Sequence, residues 1–180
     1  MYVREQPTRL HLVRHGEVDE AYHQVVGGSI DMELSLLGHE QAKGLAKFLN
    51  GRNFDRIYRS PMIRVRQTAK PLLDALEREA EVIDDLREVD FGVWTGHKWH
   101  EIQGTFGVDA EDWLAHLENG EVAEAESMDG YRSRISGSLE HMMREGAGQD
   151  VLVLCHGGVI RMLLALLLEE PFSKMGRFEV

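Results

Sequence analysis

The sequence holds a single cysteine, Cys155, in 180 residues, so an internal disulfide is excluded. No apolar run is long enough to span a bilayer; the greasiest stretch, Val159 to Leu168, is interrupted by Arg161. The first residues, Met1-Tyr2-Val3-Arg4-Glu5, lack the apolar centre of a secretory signal. Positive charge is scarce. Twenty Lys and Arg stand against 31 Asp and Glu, a net charge of −11, which argues against nucleic acid and anionic membrane as main partners. Internal repeats, low-complexity tracts and linkers are absent as well. A cytoplasmic globular protein is the expectation, with residues 1–180 as one domain long enough for a sizeable core.

The acidic balance sets a condition on any anionic substrate. It would be repelled at long range, so a local arginine cluster must reverse the field in the pocket. Arg14, Arg59, Arg64, Arg66 and Arg87 all lie near candidate motifs.

Strand and helix patterns alternate along the chain. Leu10 to Arg14 reads as a strand. Ser35 to Asn50 reads as a helix capped by Ser35, with Leu37, Leu45, Phe48 and Leu49 at helical spacing and Gly51 as its stop. Asp55 to Arg59 reads as a short strand. Pro61 then opens a helix through about Glu79. Val82-Ile83 is a further short strand, and helices are expected around Glu111–Leu117 and over Met128–Glu145. The acidic stretch from Glu118 to Glu126 between them reads as a loop. Val151 to Cys155 is an unbroken apolar run, as in central strands covered on both faces. Gly157-Gly158 then leads into an apolar helix to about Leu168. This order predicts a sheet with helices on both sides and ligands gathered at the carboxyl ends of its strands. His15 and His156 each fall just past a strong strand and Arg64 just past a third, so the three converge on one edge.

The segment Leu12-Val13-Arg14-His15-Gly16-Glu17 is the most informative in the chain. An arginine able to hold a phosphate stands beside a histidine able to attack phosphorus. The glycine after them allows a sharp turn and a close backbone approach. Each candidate also has a plainer explanation. An Arg-His pair at a strand end is often a solvated edge, and Arg64 starts an arginine-rich helix. Glu88 has acidic neighbours in Asp84, Asp85 and Asp90, and His156 follows a buried strand. The conjunction outweighs these readings.

Four blocks in order resemble the histidine phosphatase superfamily, with its phosphoglycerate-mutase-like fold. They are Arg14-His15-Gly16-Glu17; Ser60-Pro61-Met62-Ile63-Arg64 with Gln67-Thr68-Ala69; Leu86 to Gly92 with Trp94 and Gly96; and His156-Gly157-Gly158. Gly28, Asp31, Leu34-Ser35, Gly38 and Gln41-Ala42 match between them. The resemblance implies a three-layer α/β/α sandwich with a mostly parallel central sheet. It implies His15 as nucleophile and Glu88 as proton donor to the leaving alcohol, then as base for water. Arg14, Arg64 and His156 would hold the phosphoryl oxygens, with fixed guanidinium charge in the role a metal plays elsewhere. No cofactor and no metal are implied. Glu17, His23, Gly28, Trp99 and Gly157 are candidates for the substrate pocket, while Trp94 is expected to pack in the core and Trp113 is left open. Cys155 reads as a buried small hydrophobe. His97 and His100 have a metal-like spacing but no partner pair, and are read as an exposed helix.

Three departures stand out. Val18 and Ala21 occupy positions where the family often has Thr and Asn; Ala125-Glu126-Ser127 stands for its Gly-Glu-Ser; and many members continue with a strand past the region that ends here at Val180. Either the chain is clipped there or its sheet closes differently. The superfamily contains phosphatases and mutases, and mutases usually carry a long insertion after the Glu88 block. The expected activity is therefore a phosphomonoesterase acting on a small phosphorylated metabolite. Arg87 to Ile102 is similar to alpha-ribazole phosphatase-like members. A cofactor-dependent phosphoglycerate mutase and a non-catalytic phosphate-binding regulator are the alternatives. A homodimer is left open as the assembly.

Overall fold

The structure, a computed structural model, describes residues 6–180; the N-terminal residues read above for a secretory signal lie outside it. In chain order the elements are β1 (Arg9–Arg14), α1 (Leu36–Phe48), β2 (Arg56–Arg59), α2 (Ile63–Leu76), β3 (Glu81–Val82), α3 (Trp99–Phe106), α4 (Trp113–Glu118), α5 (Met128–Glu145), β4 (Asp150–Cys155) and α6 (Gly157–Leu168). The strands form one sheet in the order β1-β4-β2-β3, and every pairing is parallel.

The apolar run of β4 is buried along Val151 to Cys155 because it faces helices on both sides. Val151, Val153 and Cys155 pack with Tyr131, Ile135 and Met142 of α5 and with Val159, Met162 and Leu163 of α6. Leu152 and Leu154 point the other way, into a cluster with Ile57 and with Val65, Ala69 and Leu72 of α2. Period-two alternation thus divides one strand between two cores, which is the three-layer α/β/α arrangement. Each fully buried Val or Leu contributes roughly 1.5–3 kcal/mol.

Several local expectations need correction. α1 is capped by Ser35, whose Oγ accepts the Gly38 N–H at 3.0 Å, but its buried residues are Gly38 and Ala42. Of the four apolar residues read as its inner stripe, Leu45 and Leu49 pack inward, while Leu37 and Phe48 are exposed. α2 begins at Ile63, with Met62 rather than Pro61 flanking it, and it ends at Leu76. Glu77 closes it in the left-handed region at φ 50°, and Pro71 sits inside the helix. α3 begins at Trp99, so His97 precedes it and packs edge-on against Phe106 instead of sharing a face with His100. No helix among the described residues is long and apolar enough to cross a membrane.

Candidate active site

His15 extends the β1–β4 ladder by one step, its N–H donating to the Cys155 carbonyl at 3.1 Å. Its ring Nδ1 lies 2.8 Å from the Gly16 carbonyl. A carbonyl only accepts, so Nδ1 carries the proton and Nε2 keeps a free lone pair. Burial, followed by the charge of Arg64, pushes the His15 pKa down to about 3, against the pull of the Gly16 carbonyl. The imidazole is therefore neutral at physiological pH.

The loop after His15 is held on both sides. The Gly16 N–H donates to Thr68 Oγ1 at 2.9 Å, and the Thr68 hydroxyl donates to the Arg64 carbonyl at 2.7 Å. The Glu17 N–H donates to Gln41 Oε1 at 2.8 Å, and Ser35 Oγ donates to Glu17 Oε1 at 2.7 Å. The matched residues Ser35, Gln41 and Thr68 thus serve as struts for the nucleophile. Gly38 lets α1 approach this loop: a Cβ there would lie 2.0 Å from the Glu17 carbonyl oxygen. Gly16 is not in the left-handed region, contrary to the sharp turn expected of it. Its Cβ would instead lie 2.8 Å from the Gly38 carbonyl oxygen, so the reason for glycine is close packing.

Arg64, in the first turn of α2, is 1% exposed. Its Nη1 and Nη2 donate to the carbonyls of Ile30 at 2.7 Å and Gly28 at 3.2 Å, which fixes the guanidinium; its Nε has no partner. Arg14 is exposed and donates through Nη1 to the Val180 carbonyl at 2.7 Å. The other three arginines of the expected cluster do not join them. Arg66 points outward, Arg59 reaches the Ser60 carbonyl, and Arg87 pairs with Asp85 beside a neighbouring, acidic cleft.

His156 is fully buried, with its ring centroid 5.3 Å from that of His15. Its Nε2 lies 2.8 Å from Ser60 Oγ. Among the described residues this nitrogen is the acceptor available to the Ser60 hydroxyl, which itself accepts from the Met62 N–H at 3.4 Å. Ser60 therefore donates, and the proton of the neutral ring sits on Nδ1, a buried atom with no partner. Burial, with Arg64 and His15 adding to it, holds the His156 pKa well below the usual value.

Glu88 completes the ring of groups. Its Oε1 accepts the Val89 N–H at 3.0 Å, and its Oε2 accepts the Gly158 N–H at 3.1 Å, at the start of α6. Gly158 leaves room for that carboxyl, since a Cβ there would lie 2.4 Å from Glu88 Oε1. The backbone of Glu88 is itself clamped. Arg134 of α5 donates to the carbonyls of Asp85, of Arg87 at 2.8 Å and of Glu88 at 3.3 Å. Glu126 holds Arg134 through two parallel hydrogen bonds, and Ser127 caps α5 by accepting the Gly130 N–H. Through Glu126 and Arg134 the Ala125-Glu126-Ser127 block thus braces the Glu88 backbone.

Arg14, His15, Glu17, His23, Gly28, Arg64, Glu88, Trp99 and Gly157 all line one cleft of about 470 Å³, with His156 beneath it. His23 stands at its mouth, with Nε2 3.0 Å from the Val18 carbonyl. Sequence reasoning missed Arg161, which lines the same cleft with Phe91 and Trp113. Its one signal was a charge interrupting an apolar helix. It also missed the positioning roles of Ser60, Arg134 and Glu126. No group of three or more metal-ligating side chains is found among the described residues. A neutral imidazole lone pair, two guanidiniums and a carboxyl group thus face one small space, with the buried His156 ring 5.3 Å from that of His15, an arrangement suited to phosphoryl transfer.

Comparison with known proteins agrees with this. The sequence model of the "Histidine phosphatase superfamily (branch 1)" matches residues 10–180. Phosphoserine phosphatase 1 of Hydrogenobacter thermophilus is 31% identical over 170 residues, covering 94% of this chain and 81% of its own. The crystal structure of a putative alpha-ribazole-5'-P phosphatase from Escherichia coli is similar at a TM-score of 0.82 and 26% identity, over 97% of this chain and 86% of that one. A phosphoglycerate mutase structure from Bacillus anthracis is similar at a TM-score of 0.78 and 26% identity, over 91% and 81%. With the sheet and the cleft, these matches establish that the chain is a phosphatase and belongs to branch 1 of the histidine phosphatase superfamily.

Proposed function

We propose that the protein is a metal-independent phosphomonoesterase that works through a phosphohistidine on Nε2 of His15. The observation that carries this is the Nδ1–H bond to Gly16, which leaves Nε2 as the free lone pair of a neutral ring in the cleft. Nε2 attacks phosphorus as the ester P–O bond breaks. Glu88 gives its proton to the departing alkoxide. Water then attacks the phosphorus, Glu88 takes a proton from it, the P–N bond breaks, and inorganic phosphate leaves with His15 restored. Arg14, Arg64 and the Nδ1–H of His156 hold the nonbridging oxygens, where charge develops in the transition state. The guanidiniums stay charged throughout, so the scheme needs no metal ion to balance the phosphoryl group. A cleft of about 470 Å³ suits a small phosphorylated metabolite.

The test is phosphate release from p-nitrophenyl phosphate in the presence of a chelator, with Glu88→Gln compared on aryl and alkyl esters. Turnover should survive chelation. Glu88→Gln should lose about 100-fold or more on alkyl phosphates and far less on aryl phosphate, whose leaving group needs little protonation. Loss of turnover on chelation, or equal losses on both esters, would contradict the scheme.

A further inference from the structure

Resting on the phosphatase reading, we infer that Tyr131 is a positioning residue for the proton donor: its phenol O–H receives the Glu88 carboxylate that remains once the proton has gone to the leaving alkoxide. Tyr131 lies near the start of α5 and is fully buried, and its hydroxyl has no hydrogen-bond partner among the described residues. A buried donor without a partner is costly to a fold, and a phenylalanine would fill almost the same volume. What the hydroxyl faces is Glu88. A Cβ placed on Gly158 would lie 2.4 Å from Glu88 Oε1 and 3.2 Å from Tyr131 Oη, so the carboxyl and the phenol border one point on α6. Burial, and after it the charge of Glu88, pushes the Tyr131 pKa well above its usual value. The phenol therefore keeps its proton and stands beside Glu88 as a neutral donor.

Glu88 needs such a donor when it works. As the structure stands, backbone groups occupy both carboxyl oxygens, the Val89 N–H on Oε1 and the Gly158 N–H on Oε2. No lysine, arginine or histidine nitrogen lies within 4.0 Å of them among the described residues. To reach an alcohol or a water, the carboxyl must turn one oxygen into the cleft, and part of that backbone support is then lost. A phenol hydroxyl is suited to replace it, because its hydrogen swings about the C–O bond while the ring stays still. The ring is fixed from two sides. Arg134 lies over its face, with Cζ 4.7 Å from the centroid, and Phe172 meets it edge-on at 5.9 Å. α5 thus serves Glu88 twice. Arg134 grips the backbone, and Tyr131, one turn before it, stands by the carboxyl. In the first step the Glu88 proton passes to the alkoxide and the phenol keeps its own. In the second, the carboxylate takes a proton from water and its bond to the phenol weakens again.

The experiment compares the parent with Tyr131→Phe on p-nitrophenyl phosphate and on an alkyl ester, glycerol 3-phosphate. Tyr58→Phe is the control, because the Tyr58 hydroxyl is also buried without a partner but belongs to β2. On the aryl ester, kcat/KM reports phosphoryl transfer to His15, which needs little protonation, whereas kcat includes the hydrolysis in which Glu88 is the base. Tyr131→Phe should lower kcat there by about 10- to 100-fold, the scale of one hydrogen bond to a charged group. KM should fall with it, so that kcat/KM is nearly unchanged, and a burst of nitrophenol should precede the slow phase. On the alkyl ester kcat/KM itself should fall by a similar factor. Both variants should melt close to the parent, and Tyr58→Phe should match its kinetics. The split between kcat and KM on the aryl ester decides the inference on its own. Parent-like kinetics in Tyr131→Phe, or an equal loss of kcat/KM on both esters, overturns it and leaves the phosphatase reading in place. A parent inactive on both esters overturns that reading, and the inference with it.

Discussion

Arg134 and Glu126 are joined by two parallel hydrogen bonds, Nε to Oε1 at 2.6 Å and Nη2 to Oε2 at 2.7 Å, with both side chains largely buried. The rest of the guanidinium grips the carbonyls of Asp85, Arg87 and Glu88. This pair holds the loop that aims Glu88. Arg134→Ala would leave Glu126 and three carbonyls without their donor. It should lower stability by about 3–5 kcal/mol in urea unfolding. It should also lower turnover of alkyl phosphates more than of aryl phosphate, because the misplaced group is the proton donor. Equal losses on both esters would show a general structural defect instead.

Ser60 sets the tautomer of His156. Ser60→Ala removes the hydroxyl that donates to Nε2, so the ring proton is free to move there and desert the phosphoryl site. kcat/KM should fall by up to about 100- to 1000-fold, the scale for loss of one transition-state hydrogen bond. Ser60→Thr, which keeps the hydroxyl, should recover most of it.

Gly38→Ala places a methyl 2.0 Å from the backbone oxygen of Glu17, an atom that cannot swing away as a side-chain end could. Overpacking of this kind costs about 1–3 kcal/mol. Because the displaced backbone lies two residues past His15, activity should drop together with the melting temperature. Gly158→Ala differs, since its clash is with the Glu88 carboxyl at 2.4 Å. That variant should melt nearer the parent and still lose alkyl phosphate turnover.

The two buried histidines give stability a defined pH dependence. An unfolded histidine titrates near 6.5. In the fold His15 is held at about 3 and His156 is also lowered. The unfolded chain therefore takes up these protons first, so their contribution is complete above about pH 6.5 and is lost as pH falls from there toward 3. His15→Gln removes one such group. Its unfolding free energy between pH 6 and pH 4 should fall less steeply than the parent's, by up to about 1.4 kcal/mol per pH unit. Parallel slopes would mean that His15 titrates normally in the fold.

Much of the site was legible because its chemistry sits at strand ends. Arg14-His15 closes β1 and His156 closes β4, and both strands announce themselves by apolar runs. Arg64 was legible by motif and not by composition. Arg66, two residues on, looks the same in sequence, and only the phase of α2 turns one arginine inward and the other to solvent. The inward face of α1 was only partly legible, through Leu45 and Leu49, for a related reason. Spacing marks an apolar stripe, but close approach to the His15 loop required Gly38 and Ala42 there, which left Leu37 and Phe48 outside. Arg161 read as an interruption of an apolar helix. Its direction depends on Trp113, 48 residues away in sequence, whose placement no local pattern encodes.

The central claim is the nucleophile and the atom it uses. Rapid quench of the enzyme with a phosphoryl-labelled substrate, followed by mapping of the labelled peptide, tests it most directly. The account predicts an acid-labile, base-stable phosphoryl group on Nε2 of His15 that forms and decays at rates compatible with turnover and is absent from His15→Ala. Label on Nδ1 or on another residue, or turnover that persists in His15→Ala, would contradict it.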